Sequence, residues 1–212
     1  MAATALYKSA FLYEALMVLL YGRHYADRYR AIADLIPAES SVLDLCCGPA
    51  VLYRRYLRHK SIRYTGLDLS RTFIQRLNRQ GAHGEVWDLQ QETDLPPADY
   101  VIMQASLYQF LPDPKPVIDR MLRAARSQVI LAEPVRNITS SKIAPLAFLG
   151  RHFTDPGDGQ SAHRFTEESL DRFFSRYASR LHKSFSIPGG REKVFVLDSQ
   201  PSLTVVGPEE DD

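Results

Sequence analysis

Ser41-Val42-Leu43-Asp44-Leu45-Cys46-Cys47-Gly48-Pro49-Ala50 decides the fold. Val42 to Leu45 is a short apolar run broken only by Asp44. Small and turn-forming residues follow, and then a helix-like stretch, Val51 to Leu57. That order reads as a buried parallel strand, a tight turn and the start of a helix. Unpaired backbone N–H groups at such a helix start face whatever lies above the strand ends. Tyr64-Thr65-Gly66-Leu67-Asp68-Leu69-Ser70 repeats the pattern, and its carboxylate falls 24 positions after Asp44. This is close to the spacing at which an acidic residue meets the ribose hydroxyls of a bound nucleoside.

Further units follow at regular intervals. Ser70 is placed to cap a helix over Arg71 to Gln80. Ala82 to Leu89 reads as a third strand that ends in Asp88, and Asp99 to Gln104 as a fourth. Pro112-Asp113-Pro114 opens the next helix, since proline is tolerated in a first turn. Gln128 to Ala132 is a fifth strand, with Pro134 expected to turn the chain out of the sheet. A helix from Thr166 to Tyr177 leads to two alternating runs, Leu181 to Ile187 and Glu192 to Leu197. These flank Pro188-Gly189-Gly190-Arg191, a hairpin signal.

Asp44-x-Cys46-x-Gly48-x-Ala50 resembles the acid-x-Gly-x-Gly-x-Gly first motif of the class I S-adenosylmethionine-dependent methyltransferases, over roughly residues 41 to 198. Two of the three glycines are replaced, by Cys46 and Ala50. Both residues are small, but neither takes a positive φ as cheaply as glycine. The resemblance implies an α/β fold: a Rossmann-like, mostly parallel sheet of seven strands with helices on both faces, a C-terminal antiparallel hairpin and an N-terminal helical lid. It also implies S-adenosyl-L-methionine as cofactor. Cys46, Cys47 and Gly48 would admit its methionine part, Asp44 would organise the loop and the cofactor's amino group, and Asp68, Leu69 and Ser70 would meet the ribose. Asp88 would lie near the adenine amino group, with Trp87 or Leu89 flanking the ring. Gln104, Ala105 and Tyr108 would lie beneath the sulfur, on the side open to substrate.

The remaining segments fit around that core. Residues 1–37 carry helical apolar spacing and dense tyrosines, among them Tyr13, Tyr21 and Tyr25 beside Arg23 and His24. They read as a helical pair packed on the sheet, or as a lid whose aromatic faces attract a sulfonium. Residues 38–198 would form the cofactor-binding domain, with a substrate insertion at about 135–165, since a long irregular connection past a strand's carboxyl end favours function. Residues 199–212 read as an acidic tail. A formal charge of +1 gives no pull toward nucleic acid, and 45% hydrophobic residues in a chain of 212 can cover one sizeable core. The basic residues Arg54, Arg55, Arg58, Lys60 and Arg63 read as solvated surface. No stretch approaches 18 uncharged apolar residues, so no membrane span is expected. Two adjacent cysteines imply neither a disulfide framework nor a metal site, and the default location is the cytoplasm.

The expected activity is in-line methyl transfer to a small-molecule acceptor, accelerated largely by alignment and exclusion of water. Tyr108, Glu133, His152 and His163 are the candidate proton acceptors, with Tyr108 and His163 preferred. The alternatives are a nicotinamide-dependent oxidoreductase, whose glycines would fall on Cys46, Gly48 and Val51, and a non-catalytic S-adenosylmethionine-binding partner protein. The sequence leaves the acceptor atom and the oligomeric state open.

Overall fold

A computed structural model of the chain describes residues 10–91, 93–135 and 164–201. The alternation of apolar residues along the strands sends them to two separate cores. On one face Leu43, Leu45, Val101, Met103, Val129, Leu131 and Phe195 are buried, and on the other Val42, Ile102, Ile130, Ala132, Val194 and Val196. A sheet with two apolar faces must be covered on both, and the helices do this.

Seven strands form a single sheet in the order β3-β2-β1-β4-β5-β7-β6. They are β1 (Ser41–Leu45), β2 (Arg63–Asp68), β3 (His83–Val86), β4 (Ala98–Gln104), β5 (Ala125–Pro134), β6 (Leu181–Ser186) and β7 (Glu192–Asp198). The first five pair in parallel, while β7 runs antiparallel between β5 and β6. This is the mostly parallel seven-stranded sheet with a terminal hairpin that the resemblance implied. Strand order reverses direction between β1 and β4, and ligands of open α/β sheets bind in the crevice above such a switch point.

Among the described residues two α-helices, α1 (Ala10–Tyr21) and α2 (Asp27–Ala33), precede β1, joined through a 3₁₀ turn at Gly22–His24. Tyr29, Ile32, Ala33 and Ile36 pack on the Val42–Ile102–Ile130 face with Leu52 and Leu57. α3 (Arg71–Arg79) begins as expected at Ser70, whose hydroxyl accepts from Phe73 N at 3.4 Å. α4 (Lys115–Ala124) and α5 (Glu167–Phe174) bury Val117, Ile118, Met121, Leu170 and Phe174 against the opposite face. Thr166 and Ser169 form a reciprocal capping box at the start of α5.

Three local readings are corrected. Residues after the β1 turn do not form a regular α-helix, because Tyr53–Leu57 adopts π-helical spacing. The wider turn accompanies Tyr53 stacked on Tyr64 at 4.3 Å and Tyr56 on Tyr29 at 5.7 Å. β5 does not stop at Ala132: it pairs with β7 as far as Pro134 opposite Glu192, beyond Gln104, the last residue of β4 to pair with it. A proline is tolerated there because a ladder remains on one side only. Arg54 and Arg55 both pair with Glu14 of α1, and Lys60 Nζ donates to the carbonyls of Ala33 and Ile36 at the end of α2. Arg54 and Lys60, half-buried, thus tie the N-terminal helices down instead of lying on solvated surface, a reading that the exposed Arg55, Arg58 and Arg63 keep.

A buried ion pair makes the same connection from the other side. Arg28, 2% exposed, lies 2.5 Å from Glu192 of β7, which is 1% exposed. Tyr21 Oη donates to the same carboxylate at 2.6 Å, and the guanidinium lies over the Tyr21 ring at 4.2 Å. Removing one partner of a buried pair leaves an uncompensated charge, so Arg28→Ala should cost about 3–5 kcal/mol of stability in urea denaturation. Arg28→Met combined with Glu192→Leu should recover most of that loss.

Candidate functional site

The site lies where β1, β2 and β4 end. The turn after β1 keeps the backbone of a glycine-rich loop without its glycines: Cys46, Gly48 and Ala50 all have left-handed φ, at 55°, 53° and 51°. Ala105, just past β4, has φ 54°. For residues with a Cβ this conformation costs roughly 1–2 kcal/mol each, and such strain concentrates at functional sites. Two hydrogen bonds hold the turn onto β2. Cys47 N donates to Leu67 O at 3.1 Å, and Gly48 N donates to Asp68 Oδ2 at 2.9 Å. The other oxygen of Asp68 accepts from Ser70 N at 2.7 Å. Burial raises the Asp68 carboxyl, and these two N–H groups work against that rise. A Cβ built on Gly48 would meet nothing within 4 Å, so the loop faces open space there.

Asp44 and Asp68 come together, since each lies against the same loop and the charge of Asp68 acts on Asp44. Asp44 itself is turned inward, 5% exposed, and accepts from Tyr64 Oη at 2.7 Å. Burial pushes its carboxyl up to about 7, with the Tyr64 hydroxyl pulling the other way. The exit of β3 is joined to that of β2 by Trp87 N donating to Asp68 O at 3.1 Å. Asp88 follows, its carboxylate accepting from Gln90 N at 2.9 Å. Trp87 Nε1 is buried with no acceptor among the described residues. Leu69, 65% exposed, and Val86, 46% exposed, present apolar surface at the exits of β2 and β3. Leu89 instead belongs to the core, and its carbonyl is taken by the buried Arg120.

Cys46 and Cys47 split between the two sheet faces. Cys46 packs on the core beneath α4, while Cys47 packs on the core beneath α2. The Cys47 thiol sits over β2, where a Cβ on Gly66 would come within 2.8 Å of it. Burial pushes the Cys46 thiol up to about 12 and raises that of Cys47 as well, which leaves neither a ready nucleophile. Among the described residues no group of three His, Cys, Asp or Glu side chains could hold a metal ion.

On the β4–β5 side, Gln104 faces the N-terminal helices. Its Nε2 donates to Arg28 O at 3.2 Å and to Glu192 Oε2 at 3.3 Å. Ala105 N donates across to Ala132 O at 2.7 Å. Glu133, 2% exposed, accepts from Leu107 N at 3.0 Å and Tyr108 N at 3.3 Å, which fixes the short 3₁₀ turn Leu107–Phe110. Burial pushes its carboxyl up to about 8 against those two N–H groups. Burial also raises the Tyr108 phenol, while the nearby Arg164 charge lowers it. Tyr21 is engaged with Glu192, Tyr25 is 7% exposed, and His24 pairs with Asp27 at 3.0 Å. The side chain of Tyr13, the insertion at 136–163 and therefore His152 and His163 lie outside the described residues. Sequence reasoning missed Arg28, Tyr64, Arg164 and Glu192. Arg28 alone left a signal, a charge on the apolar side of the Tyr25 to Ile36 pattern.

Residues 26–139 match the family described as "Methionine biosynthesis protein MetW". The chain belongs to the MetW family. No curated protein matches it. Among solved structures it is similar to magnesium protoporphyrin IX methyltransferase (ChlM) from Synechocystis PCC 6803 with bound SAH, with 13% identity, a TM-score of 0.61, and coverage of 92% of this chain and 96% of that one. It is also similar to the N-methyltransferase NodS from Bradyrhizobium japonicum WM9, at 15% identity and TM-score 0.57 over 84% and 97% of the two chains. A TehB-like SAM-dependent methyltransferase from Corynebacterium glutamicum matches at 16% identity and TM-score 0.56, over 81% and 86%. This MetW-family chain therefore has the fold of the class I S-adenosylmethionine-dependent methyltransferases. No helix among its described residues is long and apolar enough to cross a membrane.

Two measurements follow from the strained and buried groups. Gly48→Ala should cost only about 1 kcal/mol, the left-handed penalty alone, whereas Ala105→Gly should stabilise by about 0.5–1 kcal/mol in urea titration. Asp44 and Glu133 keep protons in the native state that the unfolded chain releases. The stability they contribute is whole below about pH 4 and is lost as pH rises through about 7 and about 8. The urea midpoint should therefore fall between pH 5 and pH 9, and Glu133→Gln should flatten that fall.

Proposed function

We propose that this protein is an S-adenosylmethionine-dependent methyltransferase that acts on a small-molecule acceptor. The observation that carries the reading is the β1 turn at the switch point, held open by Gly48 and backed by Asp68. In this reading the methionine part of the cofactor enters over Cys46 to Gly48. Asp68 accepts from the ribose hydroxyls, since each of its oxygens keeps a lone pair beyond its one backbone bond. The exposed Leu69 and Val86, at the exits of β2 and β3, supply apolar surface for a purine. Asp88, beside them, takes the exocyclic amino group.

When bound, the cofactor supplies a methyl group already activated by its positive sulfur. What the chain adds is alignment for in-line transfer and exclusion of water. Ala105 and Tyr108, on the turn fixed by Glu133, border the acceptor position. For an acceptor that must lose a proton, Tyr108, whose phenol burial keeps protonated, orients the acceptor, and His163 is the candidate proton acceptor. α1, whose Val18 is 48% and Leu19 61% exposed, serves as the cover, while α2 belongs to the fold. Membership of a family described by methionine biosynthesis agrees with a small metabolite as acceptor and with action in the cytoplasm. A nicotinamide cofactor is disfavoured, because Val51, 3% exposed, stands where its loop needs a third glycine.

Titration calorimetry with S-adenosylhomocysteine tests the reading directly. Saturable binding is expected, and Asp68→Ala should weaken it by about 1–3 kcal/mol. Binding of NADH without binding of S-adenosylhomocysteine would overturn the assignment. Binding without transfer of labelled methyl to any compound of a cell extract would favour a non-catalytic binding partner instead.

A further inference from the structure

Arg164 stands at the acceptor side of the crevice. Its guanidinium carbon lies 4.1 Å from the centre of the Tyr108 ring. This is no loosely tethered surface arginine. Phe165, the next residue, is 7% exposed in the core against Phe173, and Thr166 follows as the capping residue of α5. The backbone on the other side is equally fixed, because Glu133 holds the N–H groups of Leu107 and Tyr108. The guanidinium is held at the ring by cation–π attraction and also bonds the Tyr108 hydroxyl, and its remaining N–H groups suit a carboxylate, which arginine can match bidentately.

Among the described residues the charges nearby do not pair with this cation. Arg28 is matched by Glu192 at 2.5 Å. Among the described residues no carboxylate forms an ion pair with Arg164. The acid that acts on it electrostatically is Glu133, which burial keeps largely protonated near neutral pH and which already serves two backbone donors. Among the described residues Arg164 is thus a cation without a carboxylate partner, while Asp44 and Asp68 lie on the β1–β2 side of the crevice.

We propose that the methyl acceptor is a small carboxylic acid whose carboxylate docks on Arg164 where it is stacked on Tyr108. This rests on the methyltransferase reading and adds the substrate class to it. Arg164 is a positioning residue, and the charge of its guanidinium selects an anion over a neutral analogue of the same shape.

The test uses the full chain saturated with S-adenosylhomocysteine and titrated with matched pairs: benzoate and benzamide, succinate and succinamide, phenylacetate and phenylacetamide. Binding is followed by the Nε–H resonances of arginine. At least one acid should bind with a Kd below about 10 mM, tenfold or more tighter than its amide. Arg164→Gln should abolish that preference, and Arg164→Lys should keep part of it, with affinity for S-adenosylhomocysteine unchanged in both. No acid binding below that limit, equal binding of acid and amide, or a preference that survives Arg164→Gln would each overturn the proposal. Failure to bind S-adenosylhomocysteine at all would instead remove the methyltransferase reading beneath it.

Discussion

The hydrogen bond from Gly48 N to Asp68 is the contact on which the crevice depends. The turn after β1 contains three left-handed residues, of which only one is a glycine. Such a turn would relax if its ends were free. It is held because the main chain of Cys47 and Gly48 is anchored to Leu67 and Asp68 on the neighbouring strand. Parallel pairing from Ser41↔Arg63 to Leu45↔Leu67 brings these partners into register. The same carboxylate then reaches Ser70 N, so strand, turn and the start of α3 share one anchor. The strained loop thus stands preformed, without reorganisation being needed to create it.

The opposite wall is built on different physics. There, charges are buried rather than backbone strained. Arg28, Glu192, Tyr21 and Gln104 satisfy one another across α2, β4 and β7, while Glu133 is kept by burial in a mostly neutral form that receives two backbone N–H groups. A low-dielectric wall of this kind magnifies any charge left unmatched at its edge. Arg164 sits at that edge.

Most of the architecture was legible because it is written in local patterns. Short apolar strands, the Ser70 cap and the Pro188 to Arg191 turn each sit in adjacent residues, and their order fixes a sheet that reverses at β1 and β4. The loop could be read too, down to the doubt about Cys46 and Ala50: both occupy the conformation that glycine would have taken without cost. What stayed hidden depends on register. Tyr64 reaches Asp44 only because their strands pair with Val42 opposite Tyr64, and Glu192 meets Arg28 only because the hairpin inserts β7 beside β5. Neither contact leaves a mark within a window of twenty residues. Leu89 shows the reverse error, since a residue near a strand end looks like ligand-lining surface until the side chain is seen to fall into the core.

The pairing of the N-terminal helices with β7 has a consequence for synthesis. Tyr21 and Glu192 are 171 positions apart, so the chain through β7 must leave the ribosome before the Arg28 charge meets its counterion. Until then α2 docks without the Glu192 carboxylate beside Arg28, and the Val42–Ile102–Ile130 face lacks β7 and its cover on the nascent chain. The order of emergence therefore makes this domain dependent on its own last hairpin, and chains released early should be the ones that chaperones and proteases intercept.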